Sequence, residues 1–195
     1  DGVIGRELYR TDGTAAGTGL LADIQPGPIG SGPVSLATVH GNALLSRFPI
    51  VVQENEDISA HPFESRGLLH CVVRLGPRMP ELHCINVHLG LFERGRQWQV
   101  RALCERIRSN VPRSAPLIVA GDFNVDQLAV VEVCEAVKGR PARTFPSVLP
   151  FFRLDRIYAR GLDVLDARVH YAYPGRRLSD HAALAATFEL VSRRR

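Results

Sequence analysis

The chain is expected to fold as an α+β protein, with antiparallel-rich sheets in layers and helices on their outer faces. Strand-like apolar runs are many, only two or three helices are readable, and strands and helices do not alternate as regular βαβ units. A length of 195 residues fits one domain, and 45% hydrophobic with 23% charged residues excludes a disordered or fibrous chain. No stretch approaches the roughly 18 apolar residues of a membrane span.

The elements follow in order. Residues 1–40 are crowded with turn formers, as in Gln25-Pro-Gly-Pro-Ile-Gly-Ser-Gly-Pro33, and read as loop with a short turn of helix near Leu20–Asp23. From Gly41 the pattern sharpens. Ala43-Leu44-Leu45 is a short apolar strand closed by Ser46-Arg47-Phe48-Pro49. Leu68–Leu75 and Leu82–Leu89, separated by a turn with Gly76, Pro77 and Pro80, predict two antiparallel strands. Val100, Leu103, Cys104 and Ile107 recur at i, i+3, i+4 and i+7, which predicts a helix. Pro116–Ala120 is a buried strand ending at Gly121, and Leu128–Val137 is a second, shorter helix. Leu154–Tyr158, Leu162–Tyr171 and Ala182–Leu190 complete the strands. The domain is expected over 41–190, with 191–195 as a basic tail.

The net charge is +4, and Lys138 is the only lysine among 24 basic residues. Arginine binds phosphate in a planar, bidentate way, so an anionic substrate suits this balance. Much of the excess lies in Arg193, Arg194 and Arg195, which a solvated tail explains equally well. Cys71, Cys84, Cys104 and Cys134 form no CxxC pair and no zinc-ligand spacing, so buried free thiols in a reducing, cytoplasmic setting are expected. No signal-peptide pattern is visible, although the chain starts at Asp1 rather than Met.

Polar residues of chemical interest gather where the predicted strands end. Gly121-Asp122-Phe123-Asn124 closes the Leu117–Ala120 run, and an extended chain puts Asp122 and Asn124 on one side. A carboxylate beside a carboxamide offers an acceptor and a donor to one reacting centre; a turn or helix cap explains the same residues. Ser179-Asp180-His181 precedes the last strand and supplies either a metal carboxylate with a general base or a loop with a satisfied imidazole. Asp155 interrupts an apolar run, where a carboxylate is costly to bury without a basic partner, and a histidine held by it is poised as a base. Asn86 and His88 share one face of their strand with Ile85 and Val87 on the other; a lone histidine there is commonly structural. Arg66 is placed either to clamp a phosphate or to pair with Glu64, with pairing slightly favoured.

Taken together, His40-Gly-Asn-Ala-Leu-Leu-Ser-Arg-Phe-Pro-Ile50, Asn86-Val-His88-Leu, Gly121-Asp-Phe-Asn124, Thr144-Phe-Pro, Leu154-Asp-Arg-Ile157 and Ser179-Asp-His181 resemble the endonuclease/exonuclease/phosphatase superfamily, closest to an uncharacterised bacterial subgroup. The resemblance implies the deoxyribonuclease-I-like fold, a four-layer α/β sandwich of two packed mixed sheets flanked by helices. It implies a hydrolase of phosphodiesters, nuclease-like or phospholipase-like, or of phosphomonoesters, in which Mg2+ or Mn2+ assists in-line attack by water. Carried across, His181 is the general base or a phosphate contact, oriented by Asp155, and Asp180 helps hold the metal. Asp122 and Asn124 position the water and a phosphate oxygen, with Asp122 sharing candidacy as the base. His88 contacts the phosphate or assists the leaving group, and Arg66 matches a phosphate-contacting position only loosely.

The resemblance departs from the family at its start. The family's first strand with its Asn, and the Gln-Glu pair whose Glu is a principal metal ligand, have no counterpart upstream of Gly41; Glu7 lies in a non-matching context. Truncation or a missing segment is the expected reason, with a weakened protein that only binds phosphate ligands as the alternative. Both nucleic acid and a lipid head group stand as substrate carriers. The arginines are scattered rather than clustered, and Trp98 is expected to pack in its helix. Phe151-Phe152 suits an apolar loop for a phospholipid, although core packing is the stronger expectation.

Overall fold

The computed structural model describes residues 8–10, 19–22, 35–39, 41–124, 135–136, 142–171 and 179–191. Its strands are β1 (Leu8–Arg10), β2 (Gly19–Ala22), β3 (Ser35–Val39), β4 (Asn42–Ser46), β5 (Ile50–Asp57), β6 (Gly67–Val73) and β7 (Leu82–His88). The helix α1 (Glu93–Asn110) follows, then β8 (Leu117–Asp122), β9 (Glu135–Ala136), β10 (Asp155–Arg160), β11 (Leu162–His170) and β12 (Ala183–Leu190).

Six strands form one mixed sheet in the order β5-β6-β7-β8-β10-β9. Only β7 and β8 run parallel, joined by the crossover through α1, while the other neighbours are antiparallel. All seven residues of β6 are buried, which explains its continuous Leu-Leu-His-Cys-Val-Val run, and β7 alternates buried with half-buried positions. The α1 face carrying Leu103 and Ile107 packs on Leu68, Ile85, Val87, Leu117 and Val119 of the sheet. Glu93 in its first turn and Arg108 in its last complement the helix dipole.

On the opposite face, the β3–β4 hairpin contacts β5, β6 and β7, and Leu44 packs against Leu69 and Cys71. The amide of Asn42 donates to the Gly67 carbonyl at 2.7 Å, and that of Asn86 to the Ala43 carbonyl at 3.1 Å. The β11–β12 hairpin contacts β10 through β12, and β1 pairs with β2. The expected α+β class is therefore present, with helix cover among the described residues supplied by α1. No helix among them is long and apolar enough to cross a membrane.

Several elements differ from expectation. The turn of helix at Leu20–Asp23 is instead strand β2, and residues 1–40 hold three short strands rather than loop alone. These strands form by pairing with another segment (β1 with β2, β3 with β4), which a glycine- and proline-rich stretch does not announce locally. The helix expected over Leu128–Val137 is contradicted at Glu135–Ala136, which pair with Tyr158 and Ala159 at the sheet edge; 125–134 and 137 lie outside the described residues. Strand β5 went unpredicted because its Gln-Glu-Asn-Glu-Asp run faces solvent. Cys71, Cys84 and Cys104 are free thiols, with Cys71 buried and the other two half-buried. Burial pushes the Cys71 thiol up to about 11 and the Cys84 thiol up to about 12, the latter helped by Cys71. His40, Cys134, Lys138 and Arg193–Arg195 lie outside the described residues.

Candidate active site

Three neighbouring strands end, or begin, at one edge of the sheet. His88 of β7 is the parallel register partner of Asp122 of β8, and Asp122 is the antiparallel partner of Asp155 of β10. Partners at one register level share a sheet face, so these three groups form a row across adjacent strands. His181, just before β12, completes the row from outside the sheet.

Its Nδ1 lies 2.6 Å from Asp155 Oδ2. A carboxylate only accepts, so Nδ1 carries the hydrogen and Nε2 is the atom turned toward Asp122, 3.8 Å from its Oδ2. His88 Nε2 stands 3.6 Å from the same oxygen. Asp122 Oδ1 is committed elsewhere, accepting the Asn124 backbone N–H at 2.8 Å. Asn124 adopts φ 51°, a left-handed conformation asparagine tolerates, and its amide donates to the Leu89 carbonyl at 2.7 Å. Asp122 Oδ2 therefore faces two imidazole nitrogens, each just beyond direct hydrogen-bond distance.

The environments push these groups apart. Burial acts to lower the His181 pKa, but the hydrogen bond and charge of Asp155, joined by Asp122 and Asp180, outweigh it and hold the imidazole above its ordinary value. Burial, reinforced by the Arg66 charge, puts His88 below its ordinary value against the pull of Asp122. Asp122 is raised, chiefly by burial and further by the Asp155 charge, against the Asn124 N–H. One imidazole favours the charged form, the other the neutral form, beside a carboxylate of increased basicity.

Arg66 is ion-paired with Glu64 at 2.8 Å, and Glu64 also accepts the Leu91 N–H at 3.2 Å. Pairing and proximity to the site coexist here, since the Arg66 charge reaches His88. Asp180 has an exposed side chain and a backbone carbonyl that accepts the Ser147 N–H at 2.6 Å. The carboxylates and the Asn124 carboxamide supply hard oxygen donors of the kind Mg2+ takes. Among the described residues no three His, Cys, Asp or Glu side chains gather into a cage. The donor set suits a cation held by one or two carboxylates, with water and substrate oxygens filling the remaining positions.

Supporting residues that sequence reasoning did not single out for a role lie around this row. Buried Thr144 accepts the Asp155 N–H through its hydroxyl at 3.4 Å and the Ala182 N–H through its carbonyl at 2.7 Å. The Ser147 hydroxyl donates to the Ser179 carbonyl at 2.9 Å, and the Phe145 ring lies 4.8 Å from the His181 ring, centre to centre. The Thr144-Phe-Pro-Ser147 stretch thus holds the His181 loop against β10. Buried Gln99 of α1 accepts the Gly90 N–H at 2.7 Å and donates to the Ile58 carbonyl at 3.0 Å, bracing the loop beyond His88. Two packing expectations fail. Trp98 is half-exposed, and Phe151 and Phe152 are exposed, because their loop is pinned at the site rather than folded into the core.

The sequence profile described as the endonuclease/exonuclease/phosphatase family matches residues 11–181. The uncharacterized protein YbhP of Escherichia coli strain K12 is 41% identical over 163 residues, covering 77% of this chain and 63% of that protein. The match thus spans less than two thirds of the relative's length. Among solved structures, a functionally unknown conserved protein from Enterococcus faecalis V583 superposes with a TM-score of 0.65 at 20% identity, over 76% of this chain and 70% of that one. D. rerio TDP2 complexed with single strand DNA product gives 0.60 at 21% identity, over 75% and 72%. The mannosyl-6-phosphatase Bt3783 of Bacteroides thetaiotaomicron VPI-5482 gives 0.59 at 19%, over 76% and 70%. At these identities the structural likeness is one of fold.

Proposed function

Because the chain belongs to the endonuclease/exonuclease/phosphatase family, we propose that it is a hydrolase of phosphate esters, working with Mg2+ or Mn2+ and a water nucleophile. The observation that carries the reading is Asp122 Oδ2 set 3.8 Å from His181 Nε2 and 3.6 Å from His88 Nε2. Those gaps accommodate an oxygen atom bridging a carboxylate and two imidazoles, which is where a phosphate oxygen or an attacking water belongs.

Asp155 fixes the His181 ring and tautomer and stabilises its charged form, so His181 presents a positive N–H to a phosphate oxygen. Asp122, raised in pKa, is the proton acceptor for water, held in orientation by the Asn124 backbone. His88, kept neutral, contacts the phosphate or assists the leaving oxygen. Asn124 positions the substrate, and Arg66, anchored by Glu64, contributes positive potential. Asp180 would help hold a divalent cation, which would polarise the phosphate and stabilise developing charge. We further place the protein in a reducing, cytoplasmic compartment, in keeping with Cys71 and Cys84 standing opposite one another as thiols.

Hydrolysis of bis(p-nitrophenyl) phosphate and p-nitrophenyl phosphate, with Mg2+ or Mn2+ and then with chelator, tests this reading. Metal-dependent turnover that His181→Ala abolishes is the expected result. Silence on both esters, with measurable binding of them, replaces the enzyme by a phosphate-binding protein on the same fold.

A further inference from the structure

The row His88–Asp122–Asp155 has a counterpart at the other ends of the same three strands. His83, Leu117 and Arg160 are register partners across β7, β8 and β10, each five residues away from the corresponding member of that row. An odd spacing puts them on the opposite face of the sheet, and five residues of strand separate the two rows by about 17 Å. At Arg160 opens a cavity of about 870 Å³, walled by the turn before β7, the segment after α1 and the β10–β11 turn, with the end of β12 closing it. Small-ligand sites commonly enclose about 300–1,000 Å³.

Three guanidinium groups line this cavity, those of Arg78, Arg113 and Arg160, against one carboxylate, Asp163. Among the described residues none of the three arginines has a carboxylate partner, whereas Arg66, Arg74, Arg106 and Arg168 each do. Arg78 and Arg113 are exposed. Arg160 is half-buried and donates through Nη2 to the Pro112 carbonyl at 3.0 Å, while its Nε is shielded from solvent and meets no acceptor. The acids nearby leave this excess standing: Glu81 is held by Arg74 at 3.4 Å, and Glu189, the cross-strand partner of Asp163, lies outside the lining. Unpaired cations around one concavity repel one another, and an anion bearing several oxyanion groups relieves that repulsion.

We propose that this cavity binds a small polyanion carrying two or three phosphate or carboxylate groups, met by the guanidinium forks of Arg78, Arg113 and Arg160. Met79, Pro116 and Leu162 give the body of the ligand an apolar wall. The residues are different from those of the His88–Asp122–Asp155 row, so binding here is independent of the hydrolase reading.

Met79 is the only methionine of the chain and lines the cavity, so the NMR signal of its isotope-labelled methyl group, assigned by its loss in Met79→Leu, reports on this place. Inorganic pyrophosphate and citrate, titrated separately in chelator at constant ionic strength, are the probes. A saturable shift of the Met79 signal is expected with at least one of them, and the tighter probe tells phosphate from carboxylate. Arg78→Ala and Arg113→Ala should each weaken that probe about tenfold, the worth of one hydrogen-bonded contact to a charged group. Arg113→Lys, which keeps the charge but loses the fork, should recover little of the loss. Arg94→Ala, which removes an exposed charge at the far end of α1, and His181→Ala should both bind like the wild type. Absence of a saturable shift with either probe overturns the proposal, as does an affinity that both alanine variants of the cavity leave unchanged. An affinity that falls equally in Arg94→Ala, or returns in full with Arg113→Lys, also overturns it, leaving only the attraction of general positive charge.

Discussion

Asp122 and Asp155 are direct partners across the β8–β10 ladder, and the His181 ring spans the space between their carboxylates. Like charges opposite one another destabilise a sheet. Here the His181 ring, 2.6 Å from one and 3.8 Å from the other, draws on both carboxylates, which hold its pKa above the ordinary value. The proposed chemistry rests on that arrangement.

His181→Ala is expected to lower turnover of a phosphodiester by about 10²–10⁴, the usual contribution of a positioned acid–base group. Asp155→Asn removes the negative charge that raises the His181 pKa and should also lower turnover. Added imidazole should restore part of the activity of the alanine variant and none of the asparagine variant's loss. Steady-state kinetics at fixed metal concentration decides between them.

Gln99 is fully buried and serves two backbone groups, the Gly90 N–H and the Ile58 carbonyl, at the helix–loop junction. Gln99→Leu preserves size and leaves the Gly90 N–H and the Ile58 carbonyl without it. Each buried group so orphaned costs about 1–3 kcal/mol. Urea unfolding should show that loss as a lower midpoint with an unchanged slope.

Gly121 has φ +145°, and a Cβ built on it would lie 1.9 Å from the Val87 carbonyl oxygen. Gly121→Ala must therefore push β7 from β8 next to the His88–Asp122 pair. A loss well above about 1 kcal/mol is expected, together with lower turnover in whatever fraction remains folded. Thermal unfolding and activity per folded molecule measure the two effects separately.

His70 lies buried beneath α1, with Nε2 2.9 Å from His83 Nδ1 and Nδ1 4.0 Å from Glu54. Burial, helped by the charges of His83 and Arg106, lowers its pKa from 6.5 to about 4. Below the ordinary value the unfolded chain binds the proton first, so stability is full above pH 6.5 and falls as pH drops toward 4. The full excursion is worth about 3 kcal/mol at 1.36 kcal/mol per unit. Denaturant unfolding between pH 7 and 4.5 should show the decline, and His70→Gln should flatten it.

Elements whose burial follows a local rule were legible in the sequence. Alternation marks β7, the 3.6-residue recurrence of Val100, Leu103 and Ile107 marks α1, and the apolar run before Gly121 marks β8. What failed was decided elsewhere in the chain. β5 is polar because it closes a sheet edge, and Glu135–Ala136 become strand only by pairing with β10. The individual site residues were visible as polar interruptions at strand ends. Their assembly into a row was not, since it depends on the register of three strands drawn from distant parts of the sequence. Gln99 gave no signal, and Thr144 was visible only as part of the Thr144-Phe-Pro motif with no role attached, because each acts through backbone groups of other segments.

The row His88–Asp122–Asp155 exists only while two ladders keep their registry. Slipping β10 by one residue along β8 would present Arg156 where Asp155 now stands and turn the acid to the other face, with most of the ladder still hydrogen-bonded. Spectroscopic secondary structure would hardly notice. The proposed turnover would vanish with it, so an activity assay would sense strand alignment more exactingly than any measure of how much sheet has formed.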